Sequence, residues 1–159
     1  MTEAAEENKQ PIFNLDKIYV KDLSLEIPHA PKIFLERDTP QVDVQLHTQA
    51  GSVEEGLFEV LVKATVTAKI GEKVMFLVEV EQGGIFQIRN VPADELEPIL
   101  AVMCPNILFP YLREAVSNVV ARGGFAPVLL NPINFDAIYQ QQKQQQQQQQ
   151  SQAAAPTTH

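Results

Sequence analysis

Residues 58–80 read FEVLVKATVTAKIGEKVMFLVEV, and their period decides the fold class. Phe58, Val60, Val62, Ala64, Val66, Ala68 and Ile70 fall on even positions, while Glu59, Lys63, Thr65, Thr67 and Lys69 fall on odd ones. Alternate residues of a strand point to opposite faces, so this is a half-buried strand with one dry and one largely wet side. Gly71-Glu72 supplies a hairpin turn, after which Val74, Phe76, Val78 and Val80 continue a dry face opposite Met75, Leu77, Glu79 and Glu81.

Outward from this hairpin the pattern repeats. Val42, Val44 and Leu46 alternate with Gln41, Asp43, Gln45 and His47, and Gly83-Gly84 predicts a bulge or kink before Ile85, Phe86 and Ile88. Ile18 to Ile27 is strand-like with a phase change near Lys21, which puts Leu23, Leu25 and Ile27 on one side and Asp22, Ser24 and Glu26 on the other. The second half has helical period. Asp94 and Glu97 have capping-box spacing, Leu96, Ile99, Leu100 and Met103 follow, and Cys104-Pro105 reads as a stop. A longer helix is expected from about Asn106 to Arg122, capped by Gly123, with Pro110 as its kink or its true start. Asn134 or Asp136 is expected to cap a last one. Strands followed by helices predict an α+β fold, a four-stranded antiparallel meander with helices packed on one face.

A chain of 159 residues suits one domain, expected over residues 12–139, with disordered tails at 1–11 and 140–159, the latter dominated by glutamine. The net charge of -8 disfavours nucleic acid and acidic membranes. The acidic, polar N-terminus has no signal-peptide pattern and no apolar run approaches the ~18 residues of a spanning helix, so a cytoplasmic protein without direct membrane insertion is expected.

Catalytic and metal chemistry find little footing. His29, His47 and His159 are far apart and Cys104 is the only cysteine, which argues against zinc and against an internal disulfide. No phosphate-binding glycine motif occurs, and no cofactor or enzymatic activity is expected. Cys104, flanked by Met103 and Pro105, reads as a small buried hydrophobe rather than a nucleophile. The pairs Glu54/Glu55 and Glu79/Glu81 read as solvated charge. Asp22 and Glu26, about 13 Å apart along one strand face, together with Glu79, Glu81 and Leu77, form either a merely soluble surface or a docking plate for a basic partner. The apolar surplus around Phe34, Phe86 and Ile88 signals an oligomer or a binding groove, a small-ligand or lipid carrier being the alternative use.

The segments IYVKDLSLEIPHAPKIF (18–34), EVEQGGIFQI (79–88), CPNILFPYLREAVSNVVARGGF (104–125) and NPINFDAIY (131–139) resemble the SecB family of bacterial protein-export chaperones. The resemblance implies a homotetramer, a dimer of dimers, that keeps newly made secretory preproteins unfolded without ATP and delivers them to the SecA motor. It implies motor docking at Asp22, Glu26, Leu77 and Glu79, and an effect on assembly at Val78, Val80 and Gln82. Clients of this family occupy apolar grooves, for which Phe34, Val42, Val44, Leu46, Phe86 and Ile88 are the candidates here. Many members carry a tryptophan where this chain has Asp38.

Overall fold

The alternating segments form four strands in the computed structural model, which describes residues 10–154. They are β1 (Ile12–Glu26), β2 (Gln41–Glu54), β3 (Leu57–Ile70) and β4 (Lys73–Arg89), in one antiparallel sheet of order β1-β4-β3-β2. The expected class holds, but a meander accounts for three strands only. The first returns by a long connection to lie beside the fourth, a Greek-key order that local alternation cannot reveal.

That connection, residues 27–40, carries a cis Ala30-Pro31 peptide and a short 3-10 turn, Lys32–Leu35, that buries Ile33. Glu36 meets Lys73 at the β3–β4 turn, 3.3 Å apart, so the connection rounds that end of the sheet. Gly56 and Gly71 take positive φ, +75° and +59°, in the two hairpin turns. Gly83-Gly84 makes no bulge, since the pairing of β4 with both neighbours runs through it without a slip. The glycines serve close approach instead. A Cβ on Gly84 would come within 2.9 Å of Leu108 and Phe86 side chains, and one on Gly83 within 2.6 Å of the Tyr19 ring.

The helical half is one continuous rod: α1 (Ala93–Pro98), a π turn (Ile99–Met103) and α2 (Cys104–Arg122). Cys104-Pro105 does not end it, because Pro105 falls in the first turn of α2 and the amide of Cys104 bonds five residues back to Ile99, the wider π spacing taking up the mismatch between Pro98 and Pro105. The expected capping box is not formed either; Pro92 is the N-cap, and Asp94 lies inside the first turn, where its charge favours the helix dipole. Ala93–Arg122 is long and apolar enough to cross a membrane by composition alone. The sheet accounts for part of that apolarity. Cys104, Leu108, Leu112, Val116 and Val120 form a buried stripe packed on β4 and β3, with Arg113, Glu114, Asn118 and Arg122 outside.

Gly123 is the C-cap, and Gly124, at φ +87°, completes a Schellman turn: Phe125 donates to Val120 at 3.3 Å and Gly124 to Ala121 at 3.1 Å. α3 runs over Phe135–Ala153, with the Asn134 side chain accepting from Ala137 at 3.0 Å. The glutamine run, read from the sequence as a solvated or transiently helical tail, is helical through Ala153. Glutamine is a good helix former, and the capped start is anchored by buried Phe135 and Tyr139, with Lys143 one turn on, 5.0 Å from the Tyr139 ring centre. Residues 1–9 of the expected N-terminal tail, and 155–159, lie outside the described residues.

Candidate functional site

The sheet has a covered face and an open one. On the face away from the helices the paired rows, read from β2 to β1, are Asp43–Thr67–Leu77–Glu26, Gln45–Thr65–Glu79–Ser24 and His47–Lys63–Glu81–Asp22. Asp22, Glu26, Leu77 and Glu79 therefore come together on β1 and β4. Strands lie about 4.8 Å apart and same-face residues about 6.6 Å, so the set occupies a patch roughly 5 by 13 Å. Lys63 approaches Glu79 at 3.9 Å, too far for a strong pair between two exposed side chains. Most of the negative charge lies at the β1 margin, because in the same rows β2 and β3 carry one carboxylate, Asp43, beside Gln45, His47, Lys63, Thr65 and Thr67.

The phase change near Lys21 is a register slip between Val20 and Asp22, the second in β1 after one between Leu15 and Lys17. It is what turns Leu23 and Leu25 toward the helices while Asp22 and Glu26 face out.

On the helix side the candidate groove residues separate into two groups. Phe34, Val42 and Val44 are 47%, 46% and 42% exposed, and Leu46 is half-buried. Phe34 stacks on Phe125 with ring centroids 5.2 Å apart, and Phe125 lies 4.9 Å from Phe76. Phe76 pairs with Ala68 and Ala68 with Val42, so the aromatic stack and the β2 stripe stand at the same end of the sheet. Phe86 and Ile88, at 0% and 4% exposure, belong to the core instead. β4 is a central strand, and α2 packs on its helix-side residues, whereas β2 is an edge strand that α2 touches at most marginally.

Two groups of residues escaped the sequence reading. Phe76 and Phe125 complete the aromatic stack, and the Gly123-Gly124-Phe125 run after a helix was the available signal for the latter. An apolar cavity of about 320 Å³ lies between β2 and α1, lined by Ala50, Ala93, Leu96, Leu100 and Ala101 among others.

Val78, Val80 and Gln82 also point into the core, with Gln82 donating to the Tyr19 carbonyl at 3.0 Å. They do not lie on the surface of the chain. Cys104 is buried among core residues, and burial pushes its thiol up to about 12, which keeps it protonated and unreactive at neutral pH.

The family model described as Preprotein translocase subunit SecB matches residues 6–146. The chain is 60% identical over 137 residues to the protein-export protein SecB of Nitrosospira multiformis, covering 86% of each chain. It is 63% identical over 136 residues to that of an Azoarcus species, covering 85% of this chain and 90% of the relative. Among solved structures, a SecB-like chaperone of Mycobacterium tuberculosis, in complex with a ChAD peptide from an antitoxin, superposes with a TM-score of 0.63 at 16% identity, over 76% of this chain and 90% of that one. At that identity the likeness is one of fold.

Proposed function

The chain belongs to the SecB family, and from that membership and the geometry of its two sheet faces we propose that it is an ATP-independent holdase, which keeps newly made secretory preproteins unfolded in the cytoplasm and delivers them to the SecA motor. The observation that carries this reading is the separation of surfaces. The acidic patch with Leu77 lies on the open face, and the exposed apolar side chains Phe34, Val42 and Val44 lie on the other.

An unfolded segment offers apolar side chains without a fixed order, and a strip of aliphatics and aromatics buries them without reading sequence. Burial is worth roughly 25 cal/mol per Å², much of it offset by the ordering of the client. Affinity then rests on several weak sites acting together, which a tetramer supplies through effective concentration. The sheet supports assembly at its margin. Among the described residues β1 pairs only with β4, and Val20 and Leu23 on β1 are exposed, so pairing with a second copy would cover both an open backbone edge and apolar surface. The working unit is residues 12–139, whose last core residue is Tyr139. Its own chemistry is binding, with no hydrolytic step.

The motor side rests on Asp22, Glu26, Leu77 and Glu79: carboxylates steer and orient a basic surface while one aliphatic side chain supplies contact area. The cavity lined by Leu96 and Leu100 favours a second reading, as carrier of a small apolar ligand. One experiment separates them. A denatured, slow-folding client is diluted into this protein without ATP, with and without an added fatty acid. Suppressed aggregation at one tetramer per client, unaffected by the fatty acid, supports the holdase; no suppression together with saturable fatty-acid binding supports the carrier.

A further inference from the structure

Asp22 and Glu26 stand on the open face only because β1 slips by one residue. Before the slip the pairs are Ile18↔Gly84, Tyr19↔Gly83 and Val20↔Gln82; after it they are Asp22↔Glu81, Leu23↔Val80 and Leu25↔Val78. Continued without the slip, the first register would set Lys21 against Glu81 and Asp22 against Val80, which faces the helices. A one-residue shift moves every following side chain to the other face, so Leu23 and Leu25 would move to the open face and both carboxylates would leave the patch. A single unpartnered residue, Lys21, therefore decides whether the acidic set exists as a surface.

The two residues on either side of Val20 are tied to the same carboxylate on another strand. Tyr19 lies across β4 at Gly83, where any side chain would collide with its ring. Its hydroxyl donates to Glu59 of β3, and Lys21 Nζ bonds the other oxygen of that carboxylate at 2.9 Å. From beneath, the buried Gln82 side chain donates to the Tyr19 carbonyl at 3.0 Å. The edge strand is thus held across β4 by two side chains, one from two residues before the slip and one from the unpartnered residue itself.

We propose that the Tyr19–Glu59–Lys21 clamp, seated over Gly83, is a positioning device for motor docking, holding β1 in the slipped register that sets Asp22 and Glu26 beside Leu77 and Glu79. This inference rests on the docking reading given above. The electrostatics fit a clamp whose carboxylate stays ionised while its phenol keeps its proton at neutral pH. The hydrogen bonds from Tyr19 and Lys21 hold the Glu59 carboxyl below its usual range, and burial together with Glu59 holds the Tyr19 phenol well above its own. Gly83 takes its meaning from the same arrangement, as the space the tyrosine ring occupies.

The test uses the full-length tetrameric protein and three variants: Tyr19→Phe, which keeps the ring and removes the hydroxyl; Glu59→Gln; and the carboxylate variant Asp22→Asn with Glu26→Gln. Affinity for the motor and for an unfolded client is titrated for each, and for Tyr19→Phe combined with the carboxylate variant. A positioning role gives a motor affinity about tenfold weaker in Tyr19→Phe and in Glu59→Gln, unchanged client affinity, and a combined loss clearly smaller than the product of the separate losses, since misplaced carboxylates have little left to lose. A merely stabilising clamp would lower the melting temperature and leave the losses multiplicative, which overturns the proposal. Loss with the carboxylate variant and none with the clamp variants also overturns it, while sparing the docking reading. No loss with any variant overturns both.

Discussion

Phe34 stacks on Phe125 with the two ring planes 24° apart, and this contact ties the β1–β2 connection to the C-terminal cap of α2. Phe34 remains nearly half exposed, so it is available to a client as well as to its neighbour. Phe34→Ala should weaken client capture several-fold, as loss of an aromatic contact worth about 0.5–1.5 kcal/mol implies, with motor affinity unchanged. Paired titrations with an unfolded client and with the motor check this; equal loss in both would move the contact out of the groove.

Gly124 is what delivers Phe125 to that stack. Its φ of +87° suits glycine, and a Cβ there would also stand 3.2 Å from the Phe34 ring. Gly124→Ala should therefore destabilise by roughly 1–2 kcal/mol. Each 1 kcal/mol lowers the Tm of a domain this size by about 2–4 °C. The melting curve is read beside client affinity, which should fall with it, whereas Gly51→Ala, in open space, should change neither.

The two groups of helix-side residues should respond in opposite ways. Exchanging Val42, Val44 and Leu46 for serine should weaken client capture and leave the fold and motor docking intact, because the first two are exposed on an edge strand. Phe86→Ala should instead cost about 3–5 kcal/mol of stability, the usual range for emptying a core phenylalanine site. Denaturant unfolding of both variants distinguishes them; a stable Phe86→Ala protein with impaired client binding would return Phe86 to the groove.

That contrast marks where the sequence was legible. Alternation over 58–80 identified the hairpin and most of its dry face. Next to the turn it failed, because a slip between Ala68 and Lys69 sets Val74 against Lys69 and leaves Met75, not Val74 or Ile70, packed on the core. The broken alternation near Lys21 located the other register slip, because a bulge shifts polarity as well as geometry. Alternation assigns residues to a face but does not say how far the helices cover it, so Val42 and Phe86 read alike although one lies on an edge strand and one on a central strand. Strand order was hidden for a related reason: the β1–β4 pairing joins residues far apart in the chain. Prolines and glycines misled locally. Pro105 reads as a stop but sits in the first turn of α2, and Gly83 reads as a bulge but makes room for Tyr19.

Cys104 should show its burial through pH. Its folded-state value, about 12, lies above the ordinary 9.0, so below pH 9 both states hold the proton and the group has no effect on the pH dependence of stability. Between about 9 and 12 the unfolded chain releases the proton while the folded one retains it, and stability falls as pH rises. Cys104→Ala should flatten that part of the alkaline profile and leave holding activity intact. A variant that folds, assembles and fails to hold clients would make the thiol functional.

The acidic face should part motor docking from everything else the protein does. Asp22 and Glu26 are exposed on an edge strand, and among the described residues Glu79 forms an ion pair only with Lys63, at 3.9 Å, so none of the three carries much of the fold. Reversing all three to lysine replaces an acidic patch beside Leu77 with a basic one, which steers away the basic partner the patch is suited to. Motor affinity should then be lost, while the assembly and client affinity survive. Salt should weaken the unmodified contact, because charges more than about 8 Å apart are largely screened at physiological ionic strength. Titration of the reversed protein with the motor and with an unfolded client, each at low and high salt, reads all of this. Equal loss of both partners would assign the carboxylates to folding or assembly, and unchanged motor affinity would place docking on another surface. A loss confined to the motor, with its salt dependence abolished, is the expected result.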